Sequence, residues 1–475
     1  MMRQVDKRFG ARFTAVAMSA LILIPVSGCA LQRHQDTLQV LGDITAGTGD
    51  SRLKQKTLHP SRETVRYSID SRPHAGDLYL PGNLAADAGI VLVPGAVPEG
   101  KDHPSLVQLA YTLARARFAV FVPDLTGYRK LKVGPADIRE VADAFRYLAA
   151  RDELPEQAGV GIGAFSYAVG PAVLAALEED IREQVQFILG IGGYYDMRKS
   201  IRFITTGYYE HKGKLRHLQA SEYGKLVFAR SVMDQLDDPA DRNIIDAMVE
   251  ARLADQHADL SGLAEELGPE GRTVHDLLVN TDPTRTFDLI AGLPARVQAI
   301  VAALSVHDKD LSRLRARLIL VHGRNDLLIP FPESAALAAA APRARLFILN
   351  HILGHVDLSP SHMLTWRFWT RELPDAWRLY RAAGLLMKQR EIPCGARTSQ
   401  PGIPPSAEVK PGCSTGTQYA ERTVFPQPAV PVRDHLASAD FDHSFTQARW
   451  RPSPDTCEPH GRLDFVCRVR YVWID

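Results

Sequence analysis

The long middle part of the sequence lacks cysteine altogether, since none occurs between Ala30 and Pro393. The chain also lacks an excess of either charge, because it has 56 basic and 55 acidic side chains. A surface that binds nucleic acid over much of its area needs a basic excess, so the composition argues against a nucleic-acid partner. Apolar residues make up 45% of the chain, which is ordinary for a globular protein whose length permits a large core.

The apolar run near the N-terminus, Phe13 to Val26, is too short to be a membrane-spanning helix. It has about 14 residues, whereas a spanning helix needs roughly 20. It follows a basic segment, Met1 to Arg12, that carries four Arg or Lys side chains and one Asp. A basic segment followed by a short apolar one is typical of a secretory signal peptide, so we predict that the protein is exported.

This leading segment ends in Val26-Ser27-Gly28-Cys29, which resembles the lipobox of bacterial lipoproteins. The resemblance implies that residues 1–29 are a lipoprotein signal peptide and that acylated Cys29 holds the protein on a membrane. It implies a place in the bacterial cell envelope, and Ala30 favours the outer membrane, facing the periplasm, over the inner one. Residues 30–62 are polar and weakly patterned and are expected to be a tether. An ordinary secretory signal with an incidental cysteine remains the alternative.

The other four cysteines all lie in the last part of the chain, residues 391–475, which is also rich in proline. An even number of cysteines behind an export signal predicts two disulfides, and three connectivities are open. A four-cysteine metal site is the competing interpretation, but the wide spacing and the lack of any C-x-x-C pair disfavour it. The cysteines concerned are Cys394, Cys413, Cys457 and Cys467.

Short apolar runs alternate with helical patterns over residues 63–196 and again over 312–390, which we interpret as two halves of one core. Ile90 to Val93 is typical of a strand buried on both faces, and Asp137 to Ala149 has apolar residues at helical spacing. The alternation predicts an α/β fold with a mostly parallel, doubly wound sheet. Further strands are predicted at Thr64–Ile69, Asp77–Leu80, Phe118–Val122, Gly159–Phe165, Val185–Ile191, Ala316–Val321 and Leu346–Leu349, with a closing helix at Trp366–Arg390 and a last strand at Leu463–Trp473.

Between residues 197 and 311 the alternation stops and helical patterns take its place, for example at Asn243–Leu253 and Val297–Leu304. This stretch leaves the sheet after one predicted strand and rejoins it before the next. We therefore predict an inserted helical cap above the functional loops. A helical domain without a catalytic role remains the alternative.

Ser166 interrupts an apolar strand that resumes as a helix-like stretch, in Gly161-Ile162-Gly163-Ala164-Phe165-Ser166-Tyr167-Ala168-Val169-Gly170. A tight strand-to-helix turn lifts the serine hydroxyl out of the sheet and sets it beside free N–H groups of the new helix. Asp326 and His355 follow downstream, each just after a predicted strand, where functional groups of a parallel sheet belong. A serine needs such a base to take its proton, and the base needs an acid to orient it.

The order serine, aspartate, histidine on a strand–turn–helix resembles the α/β-hydrolase superfamily over roughly residues 63–390. Gly323 to Pro330, which contains Asp326, looks like the acid loop of that family, and Leu353-Gly354-His355 looks like its histidine loop. The resemblance implies the α/β-hydrolase fold with Ser166 as nucleophile, Asp326 as acid and His355 as base. It implies no metal and no organic cofactor.

The same resemblance implies two backbone donors for an oxyanion. One is the N–H of Tyr167, directly after the nucleophile, and the other is the N–H of Ala96, in the loop after the third strand. Two departures from the family pattern stand out. Ala164 and Ala168 replace both glycines of G-x-S-x-G, and Pro94 occupies the place of the usual His-Gly of the oxyanion loop.

Other residues compete for these roles. His351 lies four residues before His355 and is the main rival base, whereas His322, at a strand end, is expected to be structural. Asp196 follows a strand and is an alternative acid. Asp124 also follows a strand, but such an aspartate more often ties down its own loop.

These features predict an exported, lipid-anchored serine hydrolase that cleaves a carboxylic-ester-type bond through an acyl-Ser166 intermediate. Its expected partners are a small-molecule ester or amide substrate and the membrane, and the sequence indicates no particular protein partner. A small-peptide or acyl-peptide hydrolase on the same fold stays open. So does a catalytically silent envelope protein whose C-terminal region binds a partner. Four aromatic residues are expected either to line an acyl pocket or to pack under the cap: Tyr194, Tyr195, Tyr208 and Tyr209.

Overall fold

A computed structural model describes residues 28–82, 84–350 and 373–391, together with the backbone of residues 457–460 and 464–467. The chain divides into two compact units, Met1–Glu408 and Val409–Asp475. Among the helices of these described ranges, none is long and apolar enough to cross a membrane.

The segment expected to be a tether is folded instead. Helix α1 spans Gly28–Ala46 and helix α2 spans Arg52–Lys56. Buried Asp43 accepts a hydrogen bond from Thr112 Oγ1 at 2.6 Å and lies 3.4 Å from Lys54 Nζ. The tether prediction was wrong because two of the three side chains buried in residues 30–46 of α1, Thr37 and Asp43, are polar and only Val40 is apolar, so the segment has no strong apolar pattern.

The first half of the core alternates strands and helices as predicted. The predicted elements have boundaries within five residues of the observed ones, and α4 was not predicted. The elements are β1 (Ser61–Ile69), β2 (Arg72–Leu80), β3 (Ala88–Val93), α3 (Pro104–Arg115), β4 (Phe118–Pro123), α4 (Thr126–Arg129), α5 (Ala136–Ala149), β5 (Gly159–Phe165), α6 (Val169–Ala175) and β6 (Phe187–Ile191).

The inserted cap is helical, with a hairpin that the sequence patterns did not indicate. It has a hydrophobic core of its own, built around side chains such as Val274, Leu277 and Val297. Its elements are α7 (Met197–Thr206), β7 (Tyr208–His211), β8 (Lys214–His217), α8 (Tyr223–Val232), α9 (Pro239–Ala254), α10 (Ser261–Glu265), α11 (Pro269–Val279), α12 (Thr286–Ala291) and α13 (Ala295–Leu304).

The chain then re-enters the core through β9 (Arg317–Gly323), α14 (Pro332–Ala340), β10 (Arg345–Leu349) and α15 (Leu373–Met387). The closing helix was predicted to begin at Trp366, and residues 351–372 lie outside the described ranges. In the second unit, β11 (Cys457–His460) pairs antiparallel with β12 (Asp464–Cys467), which places Cys457 and Cys467 opposite each other in register. Cys394 and Cys413 lie outside the described residues, so the two disulfides stay a prediction.

The core is an eight-stranded sheet in the order β1-β2-β4-β3-β5-β6-β9-β10. Strand β2 runs antiparallel to β1 and β4, and the pairs from β4 to β10 are parallel. Helices α1, α3 and α15 pack on one face, and α5, α6 and α14 on the other. This doubly wound architecture with its cap is the α/β-hydrolase fold, as predicted. Every residue of the central strands β3 and β4 is buried, which explains their unbroken apolar sequence.

Candidate active site

Ser166 occupies a strained turn between β5 and α6. Strand β5 ends at Phe165, residues Ser166–Ala168 form a single 3-10 turn, and α6 begins at Val169. The φ angle of Ser166 is +54°, a left-handed conformation that costs a non-glycine residue on the order of 1–3 kcal/mol and concentrates at functional sites. The turn therefore has the geometry of a nucleophile elbow.

Glycines of the next strand and of the loop after it lie close to the elbow. Ala164 pairs in register with Gly190 of β6, and both residues are buried. A Cβ atom added at Gly193 would lie 2.5 Å from Val169 Cγ1, at the start of the helix that follows the elbow. The small residues that this turn requires thus lie partly on β6 and in the loop after it.

Asp326 lies in the loop after β9, beside the elbow. Its Oδ1 accepts hydrogen bonds from the N–H groups of Leu328 and Ile329 at 2.8 and 3.1 Å. Gly192, whose φ is +70°, lies close to both Asp326 and Ser166. A Cβ added there would lie 3.1 Å from Asp326 Oδ2 and 3.9 Å from Ser166 Cα. The structure thus brings the predicted nucleophile and the predicted acid to adjoining loops.

His322 is buried behind the acid loop, with both ring nitrogens in contact with neighbours. Nδ1 lies 2.7 Å from Ser334 Oγ, and Nε2 lies 2.9 Å from the carbonyl oxygen of Ile329. Ser334 Oγ in turn donates to the carbonyl of Gly193 at 2.9 Å. Asp326 Oδ2 is 3.4 Å from Nε2. These contacts give His322 a structural place that links β9 to the loop after β6.

His355, the predicted base, and His351, its rival, both lie outside the described residues. The chain that leads to them leaves the sheet at the end of β10, next to β9. There Asn350 N–H donates to Asp375 Oδ2 at 2.8 Å. The histidine segment therefore starts at the same edge of the sheet as Asp326.

The rival carboxylates have other contacts. Asp196 is buried and caps α7, accepting from Arg198 N–H at 3.0 Å. Its own N–H donates to Glu333 Oε2 at 2.7 Å, and burial raises the pKa of Glu333. Asp124 accepts from Arg129 Nε at 2.8 Å within its own loop. The side-chain hydrogen bonds of both aspartates are thus made within or near the loops that follow their own strands.

A cavity of about 200 Å³ opens beside Ser166, between the core and the cap. Both proposed oxyanion residues, Ala96 and Tyr167, line it together with the serine. Among the described residues that line it, none carries a charge. The others are Gly95, Val97, Val133, Tyr194, Met197, Ser200, Ile201, Ile204, Tyr223, Gly224, Val227, Phe228, Ser231, Val232, Ile300, Val301, Leu304, Leu328 and Ile329.

Of the four aromatic residues singled out in the sequence, only Tyr194 lines this cavity. Tyr208 and Tyr209 belong to the β7–β8 hairpin, where Tyr209 packs against Phe331 at 6.1 Å between ring centroids. Tyr195 donates its hydroxyl to the carbonyl of His307 at 3.3 Å.

A buried carboxyl group lies behind the elbow, and sequence patterns did not indicate it. Tyr167 Oη is 3.3 Å from Asp137 Oδ2, and Gly134 N–H donates to the same oxygen at 2.8 Å. Burial raises the pKa of Asp137 to about 7, against the hydrogen bond from Gly134, which lowers it. Asp137 lies in the first turn of α5. Acidic residues are common at helix N-termini, so the sequence does not distinguish Asp137 from an ordinary one.

No protein-family model matches the sequence, and no curated protein matches it. Solved structures do. A Legionella pneumophila protein of inferred hydrolase function is 12% identical, the match covering 78% of this chain and 96% of that one, with a TM-score of 0.42. The acylaminoacyl peptidase of Pyrococcus horikoshii is 11% identical over 70% of this chain and 42% of the peptidase, with a TM-score of 0.37. An α/β-hydrolase fold protein of Nakamurella multipartita is 15% identical over 69% of this chain and 99% of that one, with a TM-score of 0.31. The fold of the present chain is established by its own strand order and directions.

Proposed function

We propose that this protein is a serine hydrolase that cleaves carboxylic esters of an apolar acyl group through an acyl-Ser166 intermediate. The observation that carries the proposal is a serine in a left-handed strand-to-helix turn that opens into an apolar, uncharged cavity. A serine that served only packing would have no need for this strained conformation.

In the proposed reaction, Ser166 Oγ attacks the ester carbonyl carbon while His355 takes the hydroxyl proton. The negative charge that forms on the carbonyl oxygen is stabilised by the N–H groups of Tyr167 and Ala96. His355 then returns the proton to the departing alcohol, leaving the acyl group on Ser166. Water attacks this ester with the help of the same histidine, the acid is released, and Ser166 regains its proton. Asp326 orients His355 and stabilises its charged form.

The cavity favours an acyl group over a peptide terminus. A free α-amino or α-carboxyl group that entered it would lose its hydration, and no described lining residue carries a charge to compensate. An engineered cavity of about 150 Å³ with an apolar lining stays dry and binds benzene. By that comparison a cavity of about 200 Å³ suits an unbranched acyl chain of roughly six to eight carbons.

The test is hydrolysis of a series of p-nitrophenyl esters, from acetate to palmitate, by the full-length chain in detergent. We expect the highest kcat/KM for chains of medium length and no activity above background in Ser166→Ala. Faster hydrolysis of aminoacyl or peptide p-nitroanilides than of any ester would support the peptidase alternative instead.

We also propose that Cys29 is the site of a lipid anchor in the cell envelope, on the outer membrane and facing the periplasm. The proposal is supported by the lipobox-like sequence that ends at Cys29. Cys29 is the second residue of α1. Since α1 packs on the core, no flexible tether would separate the lipid from the fold.

A further inference from the structure

One short segment of the cap hydrogen-bonds to both loops that carry proposed catalytic groups. Tyr223 Oη donates to the carbonyl oxygen of Ala96 at 2.7 Å. Two residues earlier, Ser221 N–H donates to the carbonyl oxygen of Leu327 at 2.8 Å. We call Ser221 and Tyr223 the cap clasp. It joins the oxyanion loop, the acid loop and the first residues of α8.

On the oxyanion side, the clasp restrains a loop in which Gly95 makes little steric contact. Gly95 precedes Ala96, and a Cβ added to it would have its nearest neighbour 4.0 Å away, at the carbonyl oxygen of Phe165. Glycine without crowding leaves the backbone at Gly95 conformationally free, so the position of Ala96 depends on contacts from outside the loop. Tyr223 holds the carbonyl of Ala96, which belongs to the Ala96–Val97 peptide. The bond therefore fixes where Ala96 lies, and with it the place from which the Ala96 N–H can reach the oxyanion.

On the acid side, the clasp holds the residue next to Asp326. The side chain of Leu327 is 46% exposed, so burial does not fix it. The backbone bond from Ser221 does so, and the Asp326 carboxylate binds the two N–H groups that follow. The backbone of the acid loop is therefore held both by Ser221 of the cap and by the carboxylate of Asp326.

The Tyr223 hydroxyl is suited to act as a permanent donor. The side chain is half-buried at the cavity wall, and this burial raises the pKa of Tyr223 to about 12. The hydroxyl thus keeps its proton throughout the pH range in which a serine hydrolase works. Tyr223 is also the first residue of α8, which contributes Val227 and Phe228 to the same cavity.

We propose that Tyr223 is a positioning residue, which holds Ala96 where its N–H can reach the oxyanion. A complete oxyanion hole then depends on a cap that lies close enough to the core for Tyr223 to bond to Ala96. This inference rests on the proposed hydrolase function. Helix α8 starts at the clasp and also lines the cavity. An acyl chain that packs against α8 therefore stabilises the cap position in which Tyr223 bonds to Ala96. Substrate binding and the geometry of the oxyanion hole are thereby coupled.

The test compares Tyr223→Phe with Tyr195→Phe in the full-length chain. Each variant loses one phenol hydroxyl that donates to a backbone carbonyl, but Tyr195 donates to His307, away from the cavity. Loss of a whole oxyanion donor costs about 10²–10³ in kcat, and we expect loss of its anchor to cost roughly 3- to 30-fold. KM should change less than twofold, and Tyr195→Phe should keep the wild-type kcat.

Hydrogen–deuterium exchange of the peptide that contains residues 94–98 gives a readout independent of activity. We expect faster exchange in Tyr223→Phe and wild-type exchange in Tyr195→Phe. Unchanged exchange would overturn the clasp, and faster exchange with wild-type kcat would overturn its role in positioning. A wild-type protein that hydrolyses no ester would overturn the proposed function and with it the catalytic role, while the exchange data would still decide whether Tyr223 holds the loop.

Discussion

At the scale of single residues, the geometry of the elbow depends on a neighbouring strand. The sequence has alanine where the related pattern has glycine, and it gives no sign of how the turn tolerates this. The structure places three glycines beside the turn, Gly190, which pairs with Ala164, and Gly192 and Gly193 in the following loop, where a Cβ atom would crowd Val169 or Asp326. Sequence reasoning could not connect these glycines to Ser166, since only the register of β5 and β6 brings them together.

The buried carboxyl of Asp137 predicts how stability depends on pH. Its pKa is about 7 in the folded protein, against 3.8 for the unperturbed group. Between these values the folded state binds one more proton than the unfolded chain, so this group makes stability fall as pH rises from about 4 to 7. At about 1.4 kcal/mol per pKa unit, the effect amounts to a few kcal/mol and is complete above pH 7.

When the pH is raised from 5 to 8, we therefore expect the free energy of unfolding to fall less in Asp137→Asn than in the wild type. The free energy of unfolding from urea titrations at both pH values measures this. Asp152→Asn removes the same charge at an exposed position and should keep the wild-type pH dependence. Equal pH dependence in all three proteins would contradict a raised pKa at Asp137.

At the scale of elements, the strands and most helices could be predicted from the sequence because each has a strong local pattern. The buried strands of the core are apolar throughout, and α5 has apolar residues at helical spacing. Two of the elements that could not be predicted show why. Helix α1 buries only a few side chains against the core, and the β7–β8 hairpin is mostly polar, with strands of four residues each. Both depend on tertiary contacts that no local pattern encodes.

The cap helices predict the chain-length preference of the proposed enzyme. Val227 of α8 lines the cavity and packs against the core. A larger side chain there would occupy volume that the end of an acyl chain needs. We expect Val227→Phe to lower kcat/KM for octanoate about tenfold or more while leaving acetate within about threefold, since each excluded methylene is worth about 0.8 kcal/mol. The p-nitrophenyl ester series measures this shift.

The matched control is Val279→Phe, the same substitution at a cap position that is 56% exposed and not part of the cavity wall. This variant should keep the wild-type chain-length profile. A parallel loss for acetate and octanoate in Val227→Phe would mean that the cavity does not hold the acyl group.

At the scale of the whole molecule, the folded N-terminal segment bears on the proposed membrane anchor. Arg33 pairs with Glu391 at 2.7 Å and Asp36 with Arg390 at 2.6 Å, so α1 is held to the end of the core. A lipid on Cys29 would therefore keep the hydrolase close to the membrane surface. Labelling with radioactive palmitate tests the anchor in cells. Wild type should be labelled and Cys29→Ser should not, and label retained in the variant would refute the assignment.

The relation between the elements of the site also emerges only in the whole fold. The sequence orders Ser166, Asp326 and His355 as in the related hydrolases, and the sheet brings the first two to adjoining loops, each close to Gly192. The cap clasp had no sequence signal, because Tyr223 and Ala96 are 127 residues apart and joined only through the placement of the cap.

The most direct measurement of the central claim is covalent labelling by a fluorophosphonate, which reacts with an activated serine. The full-length wild type in detergent is incubated with the probe, and intact mass gives the stoichiometry. We expect one label per chain on Ser166, lost in Ser166→Ala, with both proteins equally folded by circular dichroism. A folded wild type that takes up no label, or a Ser166→Ala variant labelled as fast as the wild type, would contradict a catalytic Ser166.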